Sequence, residues 1–331
     1  LIPVGTSKVD VTPEKGLRLA GYGSRRSVAE GVRSELHVRA LVLGGPLERS
    51  DEPVLEQPYS VLLTVDNCGL TAAFVDRLHE AVRGEVPVGR HRFAVVSTHT
   101  HSAPWVSGFA PNGLLNVTPE QQRDLKAYED RLFAAAVDAV RKATNTRRPA
   151  RLSAATGNAD FSVNRRVLED GRWTGFGVQA DGPVDHSVPV LIARDSDNNL
   201  LAVLTKYACH ATTETGGTNS VSADWPGMTA EAVEKQFSDV VCLVSPGCAA
   251  DSNPEPRGTH ELARQHAQTL SSEIVRLLRN PDTWRPIDSR LRCAFQKVHL
   301  PLGPIPGEEV WAARASGDDH EGSHAREMLR R

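Results

Sequence analysis

The chain has few aromatic residues, little methionine and no long apolar run. Aromatic residues make up 5% of its 331 positions, and methionine occurs twice, so few large apolar side chains are available to line a deep lipid groove. No apolar stretch approaches the roughly 20 residues of a transmembrane helix, which predicts that no segment spans a membrane. The formal net charge of −3 gives no electrostatic reason to expect a nucleic-acid partner.

The cysteines also lack an informative spacing. Five are spread along the chain without a Cys-x-x-Cys pair, which indicates neither a zinc knuckle nor a disulfide framework. Most stand among apolar residues, and we interpret them as small buried hydrophobic side chains. No signal peptide is visible before Leu1, so the sequence leaves the compartment open. We expect residues 307–331 to form one charged, uncapped helix, and the chain to be a fragment truncated at its C-terminus.

An alternation of apolar strands and amphipathic helices is what the sequence does contain. Such alternation is typical of an α/β fold with buried sheets. No internal repeat or clear linker interrupts it, so we predict a single domain over residues 1–331. The predicted strands are 4–12, 37–43, 60–66, 93–96, 151–155, 188–192, 201–208 and 240–244, and the predicted helices are 71–84, 119–145, 228–237 and 261–278.

The most informative motif is Thr98-His99-Thr100-His101-Ser102, at the end of the predicted strand 93–96. Residues i and i+2 of an extended chain point to the same face, so we predict that His99 and His101 reach one site. Imidazole is a frequent zinc ligand and titrates near neutral pH. The pair therefore indicates a metal ligand beside a proton donor or acceptor.

Polar side chains follow two further predicted strands. His210 ends the strand 201–208, and Asp251, Ser252 and Asn253 follow the strand 240–244. In α/β sheets the carboxyl ends of strands carry the ligand-binding residues. We therefore expect these side chains to lie near the His-x-His motif.

The predicted loops 164–166 and 222–227 add Arg165 and Asp224 to the candidates. Each candidate also has a purely structural interpretation. His210 fits a core histidine bonded to a carbonyl, Asp251 and Asp224 fit turns or helix caps, and Arg165 fits a surface ion pair. Their joint occurrence at the ends of apolar strands favours a functional site.

Over roughly residues 4–300 the chain resembles the neutral/alkaline non-lysosomal ceramidase family, in its N-terminal catalytic domain. The Thr-His-Thr-His-Ser string is the most specific part of this resemblance. The residues that carry it are Lys8–Pro13, Ala20–Gly23, Thr98–Ser102, Asn164-Arg165, Gly182–Asp185, His210 and Asp251–Pro254.

The resemblance implies a zinc-dependent amidase with two mostly buried β-sheets flanked by α-helices. It implies that His99 and His210 bind Zn²⁺ and that His101 lies beside the metal-activated water. Arg165 would contact the substrate or the transition state, and we place Trp105 with it as a second substrate contact. The partner implied is a small-molecule or lipid N-acyl substrate, and the family is compatible with a secreted or periplasmic location.

The sequence departs from the family pattern in three places, one of which is Ala103-Pro104-Trp105 in place of the family's glycine-rich continuation after the histidine motif. The family's Gly-Asp-x-Ser-Pro loop, whose serine is implicated in catalysis, here reads Ala250-Asp251-Ser252-Asn253-Pro254. Asn253 thus stands at the serine position, with Ser252 one residue away. The family's remaining zinc ligands, a Glu and a Tyr, have no counterpart after residue 300, and Glu308 is not given that role.

These observations favour a zinc-dependent hydrolase that cleaves a linear amide bond by direct attack of metal-activated water. The catalytic candidates are His101, Arg165, Asp251, Ser252 and Asn253, whose amide would donate to the oxyanion. Few Phe and Met residues favour an amide smaller or more polar than ceramide. One alternative is a non-catalytic relative that binds a ligand or partner. Another is a metal-free, hydrogen-bonded core of three histidines.

Overall fold

One long β-sheet and the helices packed on it make up most of the fold. The computed structural model describes residues 1–47, 55, 57–106, 108, 117–288 and 290–330. In these ranges the strands are β1 (Ile2–Asp10), β2 (His37–Leu43), β3 (Ser60–Val65), β4 (Phe93–Ser97), β5 (Arg148–Asn158), β6 (Ser162–Glu169), β7 (Arg172–Gln179), β8 (Ser187–Asp195), β9 (Leu200–Tyr207), β10 (Val241–Pro246), β11 (Ser252–Pro254) and β12 (Arg285–Pro286). The α-helices are α1 (Ala72–Arg83), α2 (Pro119–Asn145), α3 (Asp224–Glu234), α4 (His260–Arg279), α5 (Glu308–Arg314) and α6 (His320–Met328).

The main sheet curls so that its two ends face each other. Its strand order is β10-β9-β8-β5-β1-β2-β3-β4, with β12 paired to β5. Leu41 of β2 and Leu243 of β10 lie far apart in this order, yet they belong to one buried apolar cluster. Across the same interface, Thr6 Oγ1 donates to the carbonyl oxygen of Leu201 at 3.4 Å. The two facing layers of the fold are therefore halves of one continuous sheet.

Helices cover both outer faces of the curled sheet. One apolar cluster joins β2 and β3 to α1 and α2, and a second joins β8, β9 and β10 to α3 and α4. A capping box between Thr118 and Gln121 starts α2, with Pro119 in the first turn. This α/β arrangement confirms the predicted class. No helix in the described residues is both long and apolar enough to cross a bilayer.

A parallel strand pair stands at each end of the sheet. β3 pairs with β4 and β9 pairs with β10, and both pairs are parallel. Each pair is joined through a helix, α1 in the first and α3 in the second, as parallel strands require. Because the sheet curls, the carboxyl ends of all four strands come to the same rim.

The second sheet contains three short antiparallel strands in the order β11-β6-β7. It places residues 164–166, predicted as a loop, within β6. β7 is exposed along most of its length, unlike the buried sheet expected. The other difference lies near the C-terminus, where the single helix predicted over 307–331 is wrong. Two short helices form there instead, because Gly317 ends the first and Asp319 caps the second.

A buried ion network ties the two halves of the sheet together below this rim. Arg39 of β2 donates to Asp66 at 3.1 Å and to Glu234 at 2.9 Å, and all three side chains are almost fully buried. Burial raises the pKa of Asp66, while Arg39 opposes that rise. Lys8 reaches Glu234 from a more exposed position at 2.8 Å. Since Asp66 directly follows β3, the network fixes the end of that strand.

We expect Arg39→Ala to lower the free energy of unfolding by about 3–5 kcal/mol, because it leaves buried Asp66 without its cation and Glu234 with Lys8 alone. Lys8→Ala, which removes an exposed partner of Glu234, should cost less than about 1 kcal/mol. Urea denaturation of both variants measures the difference. Equal losses would contradict the central position given to Arg39.

Candidate metal centre

His99 and His101 converge, but not through the extended backbone predicted for them. His99 adopts φ = 64°, in the left-handed region that is costly for residues other than glycine. The same-face argument for positions i and i+2 is therefore wrong here. The Nε2 atoms of the two rings still lie 3.3 Å apart. Such a strained conformation immediately after a strand is typical of a functional site.

His210 meets His99 from the other end of the sheet. It follows β9, and its Nε2 lies 3.1 Å from Nε2 of His99. In both rings the Nδ1–H donates to a backbone carbonyl at 2.6 Å, that of Cys68 for His99 and that of Ala249 for His210. These bonds assign the tautomer, so both Nε2 atoms carry a lone pair.

The two facing lone pairs fit a metal ion better than a shared proton. Nitrogen ligands at about 2.0–2.1 Å from a tetrahedral zinc lie about 3.3 Å apart, close to the distances here. Burial lowers the pKa of His101 to about 3 and of His210 to about 4, which disfavours a proton in this place. The residues present therefore fit the zinc that the family resemblance implies.

Cys68 is a further donor that the sequence analysis interpreted only as a buried hydrophobic residue. It is buried, and one ligand atom from each of Cys68, His99 and His101 lies within 4.8 Å of the others. Burial raises the pKa of its thiol to about 12. Cys68 follows β3, the parallel neighbour of β4, so the pairing of two strands brings it to the histidines. That pairing is not visible from the spacing of cysteines.

The loop after β1 encloses His101. Gly21 has φ = 93°, and a Cβ atom on it would lie 2.4 Å from Cβ of His101. The Tyr22 ring packs edge-on at 5.1 Å between ring centroids. Buried Arg25 donates to the carbonyl oxygen of His101 and to Oγ of Ser102. Arg25 is a positioning residue that the sequence analysis missed.

Arg165 lies beside His210 and is held by the loop after β10. Its backbone N–H donates to the carbonyl oxygen of Asp251 at 2.7 Å, and Nη2 donates to that of Ala250 at 2.8 Å. Nη1 donates to Oδ1 of Asn253 at 3.2 Å, and Nη2 lies 3.4 Å from Nε2 of His210. The guanidinium is thus fixed at the edge of the candidate metal centre.

Asn253 has a defined orientation. Its Oδ1 accepts from Arg165 and also from Oγ1 of Thr212 at 3.1 Å, so Nδ2 is the donor end that points away from both. Asp251 and Ser252 bond to each other, through Ser252 Oγ and Asp251 Oδ1 at 3.3 Å. The carbonyl oxygen of Ser252 accepts the backbone N–H of His210. These two residues contact the centre through their backbone.

Two other candidates lie away from the three rings. Trp105 packs against the apolar cluster under α1 and α2, and its backbone N–H donates to the carbonyl oxygen of Arg18. Asp224 is buried and accepts the backbone N–H groups of Glu214 and Trp225, as the turn interpretation expects. Asp224 still supports the centre indirectly, because it accepts the backbone N–H of Trp225. Trp225 in turn donates through Nε1 to the carbonyl oxygen of His210 at 2.9 Å.

Fold and site together define an α/β protein with a histidine-rich candidate metal centre at the rim of a curled sheet. The family model described as neutral/alkaline non-lysosomal ceramidase, N-terminal, matches residues 3–254, which is most of the chain. The chain belongs to this family. The match ends at the Asn253 loop, short of the residue 300 to which the resemblance was extended.

Solved structures with the same fold include neutral ceramidase from Pseudomonas aeruginosa, with 17% identity and a TM-score of 0.66. A second, described as ceramidase complexed with C2, has 18% identity and a TM-score of 0.68. Each alignment covers 86% of this chain, but only 45% and 44% of the respective ceramidase chains. The chain therefore spans less than half the length of these proteins. No curated protein matches it.

We expect the metal-free protein to lose stability on acidification. The pKa values of His101 and His210 are lowered from 6.5 to about 3 and about 4. Between pH 6.5 and about 4 the unfolded chain therefore binds more protons than the folded one. The free energy of unfolding consequently decreases as the pH is lowered through this range. Urea denaturation of chelator-treated protein across this range measures the slope.

Replacing His101 and His210 with glutamine should make the free energy of unfolding depend less steeply on pH. His37, whose pKa is lowered to about 4 by burial elsewhere in the fold, keeps part of it. An unchanged slope in the double variant would contradict the neutral state assigned to His101 and His210.

Proposed function

We propose that this chain is the catalytic part of a zinc-dependent hydrolase that cleaves a linear N-acyl amide bond. The observation that carries the proposal is the 3.1 Å separation of the Nε2 atoms of His99 and His210, whose Nδ1 atoms are both occupied by carbonyls. Family membership supports the choice of an amide bond. We further propose that residues 1–331 act as one domain, because the centre draws on residues from β3 to β11.

His99 and His210 would hold the ion, with His101 and Cys68 as further donors within reach. Zinc supplies Lewis acidity and lowers the pKa of a water ligand towards about 7. His101 does not need to bind the metal to contribute. Its Nε2 lies 3.3 Å from that of His99, and since burial lowers its pKa to about 3, it would hold a proton only briefly before passing it to the leaving nitrogen.

Arg165 and Asn253 would stabilise the negative charge that develops on the carbonyl oxygen. Arg165 keeps its charge beside His210, and its two bonds to Ala250 fix its direction before substrate binds. The Nδ2 group of Asn253 is the second donor, because its Oδ1 is already engaged by Arg165 and Thr212. Donors fixed before the reaction are the more effective ones.

A non-catalytic ligand-binding relative is the second candidate. The Asn at the family's serine position supports it, since an amide cannot serve as a nucleophile. The arginine held beside the paired Nε2 atoms supports catalysis, because it provides a fixed cation where negative charge would develop on a substrate carbonyl. Trp105, which lies outside the centre, remains only a predicted substrate contact.

We expect His99→Ala or His210→Ala to abolish stoichiometric zinc in the complete protein, because each variant removes one of two facing ligands. His91→Ala replaces an exposed histidine and should leave the zinc content unchanged. Elemental analysis after dialysis measures it. Full zinc retention by both site variants would rule out the proposed centre.

We expect Arg165→Met to lower the turnover of an N-acyl amide by about 10²–10³, with zinc content unchanged, because one oxyanion donor is lost. Arg151→Met, on the exposed face of β5, is the control. The assay should compare N-acyl sphingosines with short N-acyl amides. Turnover by Arg165→Met equal to that of the control would remove Arg165 from the reaction. Zinc binding without turnover of any substrate would favour the non-catalytic candidate.

A further inference from the structure

The hairpin of β6 and β7 exposes four large apolar side chains. Leu168 is 49% exposed, Trp173 53%, Phe176 60% and Val178 53%. Cross-strand pairing joins Leu168 to Trp173, and the rings of Trp173 and Phe176 meet edge to face at 5.5 Å between centroids. Paired residues of antiparallel strands share a face of the sheet. Leu168, Trp173 and Phe176 therefore form one continuous patch, here called the hairpin face, and exposed Val178 follows two residues further along β7.

Arginines frame the hairpin face. The guanidinium of Arg165 lies over the Phe176 ring at 4.7 Å, and that of Arg166 lies over the same ring at 5.8 Å. Arg172 adds a third positive charge beside the turn. The two acidic groups of the hairpin, Glu169 and Asp170, stand at the turn itself. Two of the three arginines are thus next to the Phe176 ring, whereas Arg172 is paired with Glu169 at the tip, where both carboxylates lie.

This combination matches the boundary between lipid headgroups and acyl chains. A Trp ring favours that layer because its apolar body and its N–H suit a boundary that is apolar on one side and wet on the other, and a Phe ring can be buried on the apolar side. Arginine side chains beside them can reach anionic phosphates while their stems stay among apolar groups. The acidic tip argues for a hairpin that lies flat on the surface, since a tip that entered the bilayer would carry two carboxylates with it.

We propose that the hairpin face docks this chain on an anionic lipid bilayer. The placement of Arg165 adds a reason, because the same guanidinium contacts Phe176 and lies 3.4 Å from Nε2 of His210. A bilayer under the hairpin would thus be next to the candidate metal centre. Docking itself does not depend on the hydrolase chemistry. Only the further step, in which docking delivers a membrane-dispersed N-acyl lipid to the candidate metal centre, rests on the proposed function.

A second run of exposed apolar residues supplies a control. Leu300 and Leu302 are 80% and 83% exposed, but they lie in a segment without helix or strand. No strand pairing in the described residues joins these two leucines to a neighbouring apolar side chain. Leu300→Ser/Leu302→Ser therefore matches the loss of apolar area without touching the hairpin.

The test is co-sedimentation of the full chain with vesicles of phosphatidylcholine and phosphatidylserine, or of phosphatidylcholine alone. We expect binding to the mixed vesicles, with a blue shift of tryptophan emission that Trp173→Phe removes. Trp173→Ser/Phe176→Ser should weaken partitioning by about tenfold or more, since burial of the two half-exposed rings together contributes at least about 1.4 kcal/mol. The leucine control should bind as the parent does.

Arg166→Glu keeps the apolar side chains and tests the charge separately. It should weaken binding to the mixed vesicles, and added salt should reduce its difference from the parent chain. Absence of vesicle binding by the parent chain would overturn the proposal. Equal vesicle binding by Trp173→Ser/Phe176→Ser and Leu300→Ser/Leu302→Ser would also overturn it. The same holds if the parent chain binds no vesicles but self-associates, and Trp173→Ser/Phe176→Ser abolishes that self-association. None of these readouts requires zinc or turnover, so they are independent of the proposed function.

Discussion

The facing Nε2 atoms of His99 and His210 are the constraint on which the candidate site depends. Each ring gives its Nδ1–H to a backbone carbonyl, so neither has a proton to offer the other across 3.1 Å. Burial lowers the pKa of His210 to about 4, which disfavours a proton on that ring. Two lone pairs in this position repel each other unless a cation lies between them. The polar surroundings of the rings follow from this requirement.

The curl of the main sheet is what brings the two rings together. β4 and β10 stand at opposite ends of the strand order, yet the carboxyl ends of both parallel pairs share one rim. Arg39 and its two carboxylates hold the facing halves below that rim. Distortion of this network would separate His99 from His210 without altering either loop. Stability and site geometry are therefore coupled in this fold.

Local pattern was enough to predict the elements whose signals are local. The capping residues of α2 and the apolar strands β2, β3 and β9 have the predicted positions. The meeting of His99 with His210 is expected both from the strand-end pattern and from the family resemblance, and the structure has it. What failed depends on distant contacts. The approach of Cys68 requires β3 and β4 to be paired, and sequence spacing does not report that pairing. The left-handed backbone of His99 has no marker in the local sequence, since neither glycine nor asparagine stands there. The hairpin of β6 and β7 was missed because its glycines and arginines look like a loop.

Anomalous diffraction from crystals of the zinc-loaded protein, recorded on both sides of the zinc absorption edge, is the most direct measurement. We expect one strong difference peak about 2.0–2.1 Å from Nε2 of both His99 and His210. A peak bound to only one of these rings, or a fully loaded crystal with its zinc elsewhere, would contradict the central role given to the pair.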